Sequence, residues 1–228
     1  PLDDATLLFR PQFRAAARLD RLRVGLPAPF FAGAMERDVR AQVSAVAERL
    51  RGAGARVEEV PFPDLNALNH AASVTLLAEA ATNFEWALAR AEEIGPDVRG
   101  RFEQGLLIPA VDYHHAQRLR AHWMHEVEGL FQECDLLLTP ASPVVAPLID
   151  DPFVDLGGER VDARAAISRY LRSFNFLGLP AMTLPCGTGG EGMPVSVQLV
   201  GAFAEDVFVL QASILLEQVL EFTAAPPV

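Results

Sequence analysis

Residues 134–140 read CDLLLTP, and the unbroken Leu136-Leu137-Leu138 run constrains the fold more than any other feature of the chain. Successive side chains of a strand point to opposite faces, so a run with no polar alternation needs cover on both. Asp135–Thr139 therefore reads as a buried strand inside a sheet with layers on each side. Arg23–Leu26 reads as a second short strand, closed by Pro27. Met35–Arg51 places Val39, Val43, Val46 and Leu50 on one helical face, and Gly52 and Gly54 end that helix. Arg56–Val60 alternates like a strand until Pro61 and Pro63 stop it. Such a strand–helix–strand run predicts a right-handed crossover in an α/β sheet.

The middle of the chain is helical. A pattern rich in Ala and Leu spans residues 66–91 and breaks at Gly95-Pro96, Asp97–Leu107 gives a second helix, and Val111–Cys134 gives a third. After the buried strand, Pro140, Pro143, Pro147 and Pro152 spell an extended loop. Ala163–Phe176 returns to helix and ends near Gly178; Ala181–Pro185 and Val195–Val200 read as strands; Asp206 is placed as the N-cap of a last helix over 207–220. The expectation is an α/β fold with at least five strands in an order that the sequence does not give.

Composition narrows the chemistry. All 19 basic residues are Arg, so no lysine general base, Schiff base or phosphate-binding lysine comes from this chain. A net charge of −11 argues against nucleic acid or an anionic membrane as partner. No apolar run reaches the roughly 20 residues that a bilayer requires, no signal segment is visible, and two cysteines make no disulfide framework, which together read as a cytoplasmic protein. The chain starts at Pro1 and not at Met, which reads as an upstream portion missing.

Three passages together resemble the amidase-signature family: AVDYHHAQRLR (Ala110–Arg120), CDLLLTP (Cys134–Pro140), and NFLGLPAMTLP (Asn175–Pro185) followed by Gly192-Met193-Pro194 and Gln198-Leu199-Val200-Gly201. They stand in family order, and the likeness covers nearly the whole chain. Within the family it leans toward the glutaminyl-tRNA amidotransferase A-subunit and AtzE-like groups. The resemblance implies the C-terminal part of the amidase-signature fold, a mixed sheet flanked by helices, with residues 1–228 forming the C-terminal portion of one domain. It implies hydrolysis of amide C–N bonds in a small-molecule substrate by a Ser–cis-Ser–Lys triad, with no cofactor and no metal. That machinery precedes the matched region in the family. Here there is no lysine, no pair of adjacent serines and no Gly-Gly-Ser-Ser-Gly-Gly stretch, so no catalytic residue is assigned to this chain and it is expected to be inactive alone. The missing N-terminal portion is its expected partner, with a homodimer as another way to cover an exposed sheet edge. A stand-alone, non-catalytic binding or scaffold protein derived from an amidase is the alternative.

Among single residues, Arg120 stands out. On a helical wheel Leu119, Trp123, Val127 and Leu130 share an apolar arc; Arg120 falls inside it, between Val127 and Phe131, whereas Arg118 falls on the polar side. A guanidinium there needs an anionic or carbonyl partner. Arg120 is the candidate for binding a substrate carboxylate, against a structural ion pair. Gly187, Gly189, Gly190 and Gly192 offer positive φ and close approach to a ligand, which makes Gly190 and Glu191 further substrate-binding candidates, Glu191 toward an amine. His114, His115, His122 and His125 share the solvent arc of the Arg120 helix and read as a polar face. Cys186 reads as a buried apolar residue, Ser142 as a turn residue, and Asn175, Gly178 and Pro180 as a cap and tight turn.

Overall fold

The computed structural model describes residues 18–223. The chain divides into two compact units, one formed by Pro1–Phe62 with Val127–Val228 and the other by Pro63–Glu126.

The first unit is built on a five-stranded sheet. Its strands are β1 (Arg23–Pro27), β2 (Arg56–Val60), β3 (Leu136–Pro140), β6 (Ala181–Thr188) and β7 (Pro194–Val200), in the order β2-β1-β3-β7-β6. β1 pairs in parallel with β2 and β3, and β7 pairs antiparallel with β3 and β6, so the sheet is mixed. Helix α1 (Ala28–Ala32) follows β1, α2 (Arg37–Gly52) makes the crossover from β1 to β2, and α8 (Asp206–Leu220) closes the unit. Val39, Val43, Val46 and Leu50 of α2 pack with Phe208, Val209, Ala212 and Leu216 of α8 and with Leu136, Leu138, Val197 and Leu199 of the sheet. Leu137 points to the opposite face and is also fully buried, as the unalternating run demands. Each such aliphatic side chain contributes about 1.5–3 kcal/mol on full burial. Helix α7 (Ala163–Leu177) brings Tyr170 and Phe174 against Phe30 of α1, with ring centroids 5.1 and 5.3 Å apart.

Two helices of this unit end in the same way. The N–H groups of Gly54 and Ala55 bond the carbonyls of Arg51 and Leu50, and those of Gly178 and Leu179 bond Asn175 and Phe174. Gly54 and Gly178 have φ of +95° and +71°, the left-handed turn that a Schellman ending needs. The Asn-x-x-Gly-x-Pro passage is thus a helix stop that turns the chain into β6, with the Gly201 N–H bonded to the Pro180 carbonyl.

The second unit holds α3 (Leu65–Asn83), α4 (Glu85–Leu88), α5 (Pro96–Leu106) and most of α6 (Ala110–Leu130). Asp64 caps α3 by accepting the Ala67 N–H at 2.7 Å. Gly105 lets α5 close against α3, since a Cβ there would overlap the Leu77 carbonyl.

Three expectations are corrected. The helix expected over 66–91 stops at Asn83, where the Thr82 hydroxyl donates to the Ala78 carbonyl and Phe84 leaves helical geometry to stack on Phe102 at 5.4 Å. The last helix begins at Asp206, so Asp206 is its first residue and not its cap; Glu205 holds the cap position and makes no side-chain cap bond. Residues 153–162, given no element from the sequence, form a hairpin of β4 (Phe153–Leu156) and β5 (Glu159–Asp162). Its two-residue turn is Gly157-Gly158, both at positive φ.

Candidate substrate-cleft wall on α3 and α6

Polar side chains spaced four residues apart link α3 to α6. The Tyr113 hydroxyl donates to Glu79 Oε1 at 3.0 Å, and Gln117 Nε2 donates to Thr75 Oγ1 at 3.2 Å. Tyr113 and Gln117 ascend α6 as Glu79 and Thr75 descend α3, so the two helices run antiparallel and in fixed register.

Arg120 is half-buried and shares a face of α6 with the buried residues Ala116, Trp123 and Val127, while Arg118 is exposed. Arg120 lies two turns C-terminal to Tyr113 on the same side of α6. The hydrogen bond to Glu79 pushes the Tyr113 phenol above its ordinary pKa, burial and the Glu79 charge add to that, and the Arg120 charge pulls the other way. A groove of about 600 Å³ beside this cluster is lined by Glu79, Thr82, Asn83, Gly105, Ile108 and Tyr113, among others.

The seam of α6 differs in one residue from the expected arc: Leu119 is 44 % exposed, and the buried side is Ala116, Trp123 and Val127. Leu119 follows Gln117 and Arg118 on the wheel and is rotated past the edge of that seam. His114, His115, His122 and His125 are all exposed. Glu79 and Thr75 were not singled out from sequence. Their signal is a polar i,i+4 pair on α3, matched by Tyr113 and Gln117 on the partner helix.

The glycine loop lies in the first unit. Of its four glycines only Gly192 has positive φ, +76°. Gly187 and Gly189 are small for a different reason: a Cβ on Gly187 would overlap the Gln42 amide, and one on Gly189 would lie 2.8 Å from Val145 Cγ1. Gln42 Nε2 also donates to the Thr188 carbonyl at 3.0 Å, so the β6 end of the loop is pinned to α2. Gly190 faces open space, and Glu191 occupies the 3-10 turn Gly190–Gly192.

Cys186 and Cys134 are buried, and burial pushes both thiols up to about 11, which makes them poor nucleophiles at neutral pH. Ser142 Oγ donates to the Val144 carbonyl and accepts the Val144 N–H, as a turn residue does. Thr139 and Gln198 stand opposite each other on β3 and β7, and the buried Thr139 Oγ1 and Gln198 Oε1 have no protein partner among the described residues.

The sequence profile of the Amidase family matches residues 4–210. The chain belongs to the amidase family. Among similar amidases is the glutamyl-tRNA(Gln) amidotransferase A-subunit of Azoarcus sp. (strain BH72), 30 % identical over 237 residues, covering 88 % of this chain and 47 % of that protein. The chain thus spans about half the length of the curated relatives it matches. A crystal structure described as an amidase superposes with a TM-score of 0.81 at 31 % identity, over 89 % of this chain and 46 % of the other. A protein from a vestigial complex bearing on the origins of an s-triazine catabolic enzyme superposes at 0.78 with 31 % identity, over 86 % of this chain and 42 % of the other. The α/β fold with its mixed five-stranded sheet is that of these amidases. Among the described residues no helix is long and apolar enough to cross a membrane.

Proposed function

We propose that this chain is the C-terminal portion of an amidase that hydrolyses amide C–N bonds, supplying sheet and one wall of the substrate cleft. In this reading a Ser–cis-Ser–Lys triad outside these 228 residues performs the chemistry, and Arg120 binds a carboxylate of the substrate. One observation carries the reading: a member of the amidase family contains no lysine and no two adjacent serines. A planar guanidinium holds a carboxylate through two parallel hydrogen bonds, and partial burial strengthens that hold relative to water. Gly190, in the first unit, is a separate backbone candidate for substrate contact, because nothing lies within 4 Å of where its Cβ would be. Glu191, beside it in sequence, is the candidate for a substrate amine.

The test uses the active amidase that carries this chain, with paired amides that differ only in a carboxylate. Arg120→Met is expected to lower kcat/KM about 10- to 100-fold for the carboxylated amide, the size of a lost charged hydrogen bond, and to leave the neutral amide within about threefold. Equal loss on both substrates would refute carboxylate binding by Arg120.

A further inference from the structure

We propose that the outer edge of β6 is where the upstream portion of the amidase joins this chain, by adding a β-strand beside Ala181 and Thr183. The proposal rests on the reading of the chain as the C-terminal portion of an amidase, and it names the surface that meets the rest.

The two edges of the five-stranded sheet differ in charge. At one end β2 carries Arg56, Glu58 and Glu59, with Arg56 and Glu58 paired at 2.7 Å. Charges of this kind keep an edge from pairing with another strand. At the other end β6 has no charged residue from Ala181 to Thr188, and among the described residues no strand pairs with its outer side.

The hydrogen bonds of β7 show which backbone groups of β6 face outward. The Ala141 N–H bonds the Ser196 carbonyl, and the Gly201 N–H bonds the Pro180 carbonyl. Backbone groups along a strand alternate in direction from one residue to the next. Ser196, Gln198 and Val200 therefore face β3, whereas Val197 and Leu199 face β6. Their partners Leu184 and Met182 turn N–H and C=O toward β7. Ala181 and Thr183 turn theirs to the open side. Pro185 has no N–H to offer, and the register shifts between Pro185 and Gly187, so the available ladder ends there.

The side chains show that the occupant covers a face as well as an edge. Ala181, Thr183 and Pro185 are exposed, whereas Leu184 and Cys186, on the other face, lie in the core. A second copy paired edge to edge would extend the ladder and leave that face open. The amidotransferase A-subunit relative is about twice as long, since this chain covers 47 % of it. An amidase of that length has chain enough to supply both a strand for the edge and a layer over the exposed face.

The test is amide hydrogen exchange in the active amidase, resolved to single residues by electron-transfer fragmentation. A paired edge protects Ala181, Met182, Thr183 and Leu184 alike; an open edge protects only Met182 and Leu184. The Thr183 N–H is expected to exchange within about tenfold of the Leu184 rate and at least about a hundredfold more slowly than an unpaired amide. Thr183→Pro removes the outward donor and no bond to β7, and Thr183→Val keeps that donor. Proline is tolerated on a free edge and not inside a sheet. Thr183→Pro should therefore lower the thermal midpoint by about 5 °C or more relative to Thr183→Val. Fast exchange at Ala181 and Thr183 beside slow exchange at Met182 and Leu184 overturns the proposal, and so does a proline tolerated as well as the valine. Protection that appears only as protein concentration rises assigns the edge to a second copy and also overturns it. If the 228-residue chain hydrolyses amides by itself, the reading of it as a portion falls first and this inference with it.

Discussion

Replacing Gly105 with Ala sets two physical effects of opposite sign against each other. Helix propensity alone favours the change by up to about 1 kcal/mol, because Gly is the poorer helix former. Packing opposes it. The added Cβ would overlap the Leu77 carbonyl oxygen and lie 2.7 Å from Ala81 Cβ. A backbone carbonyl in the middle of α3 cannot rotate aside, so α3 and α5 must separate. Overpacking of this kind costs about 1–3 kcal/mol, and here the obstacle is rigid, so a net loss of about 1–2 kcal/mol is expected. Gly100 is the internal control: it lies in the same helix with nothing within 4 Å of its Cβ position. Gly100→Ala should gain about 0.5–1 kcal/mol. With a urea m-value of about 2 kcal/mol/M, the two variants should differ by about 1 M in unfolding midpoint, followed by far-UV circular dichroism. A Gly105→Ala midpoint at or above wild type would refute the close approach of α5 to α3.

The buried thiols predict a pH dependence. Their folded pKa of about 11 lies above the ordinary value of about 8.5, so their contribution to stability is complete below about pH 8.5 and is lost as pH rises toward and through about 11. Unfolding midpoints at pH 8 and pH 10.5 should fall less in Cys134→Ala and Cys186→Ala than in wild type, and iodoacetamide should label neither native thiol at pH 8. Thr139→Val removes a fully buried hydroxyl that has no protein partner among the described residues, so it should leave stability unchanged or raise it by about 1 kcal/mol in a thermal melt. A loss above about 1 kcal/mol would show that the hydroxyl bonds a buried water.

Much of the fold was legible because its signals are local. Val39, Val43, Val46 and Leu50 mark one helical face, Leu136-Leu137-Leu138 marks a strand covered twice, and Gly178 marks a helix stop; each reports a geometry that its own neighbours impose. The end of α3 was not legible, because no Gly or Pro marks it: a hydroxyl bonding back to the helix and a stacking contact from Phe102, a turn of another helix, end it together. The β4–β5 hairpin did have a local signal, Gly157-Gly158 between alternating residues, which the prolines before it obscured. Strand order depends on pairings such as Val24 with Leu136, more than a hundred residues apart, and no local pattern carries that. At the candidate site, Arg120 announced itself as a charge on an apolar face. Glu79 did not, because an exposed glutamate on a helix is ordinary until the register with Tyr113 is known.

The central claim is that this chain is a cleft wall of an amidase and holds none of the triad. Intact-mass analysis after treatment with a fluorophosphonate, which caps activated serines, tests it directly. The account predicts no added mass on the 228-residue chain and no turnover of simple amides by it. A stoichiometric adduct on one of its serines, with amide hydrolysis lost in step, would contradict it.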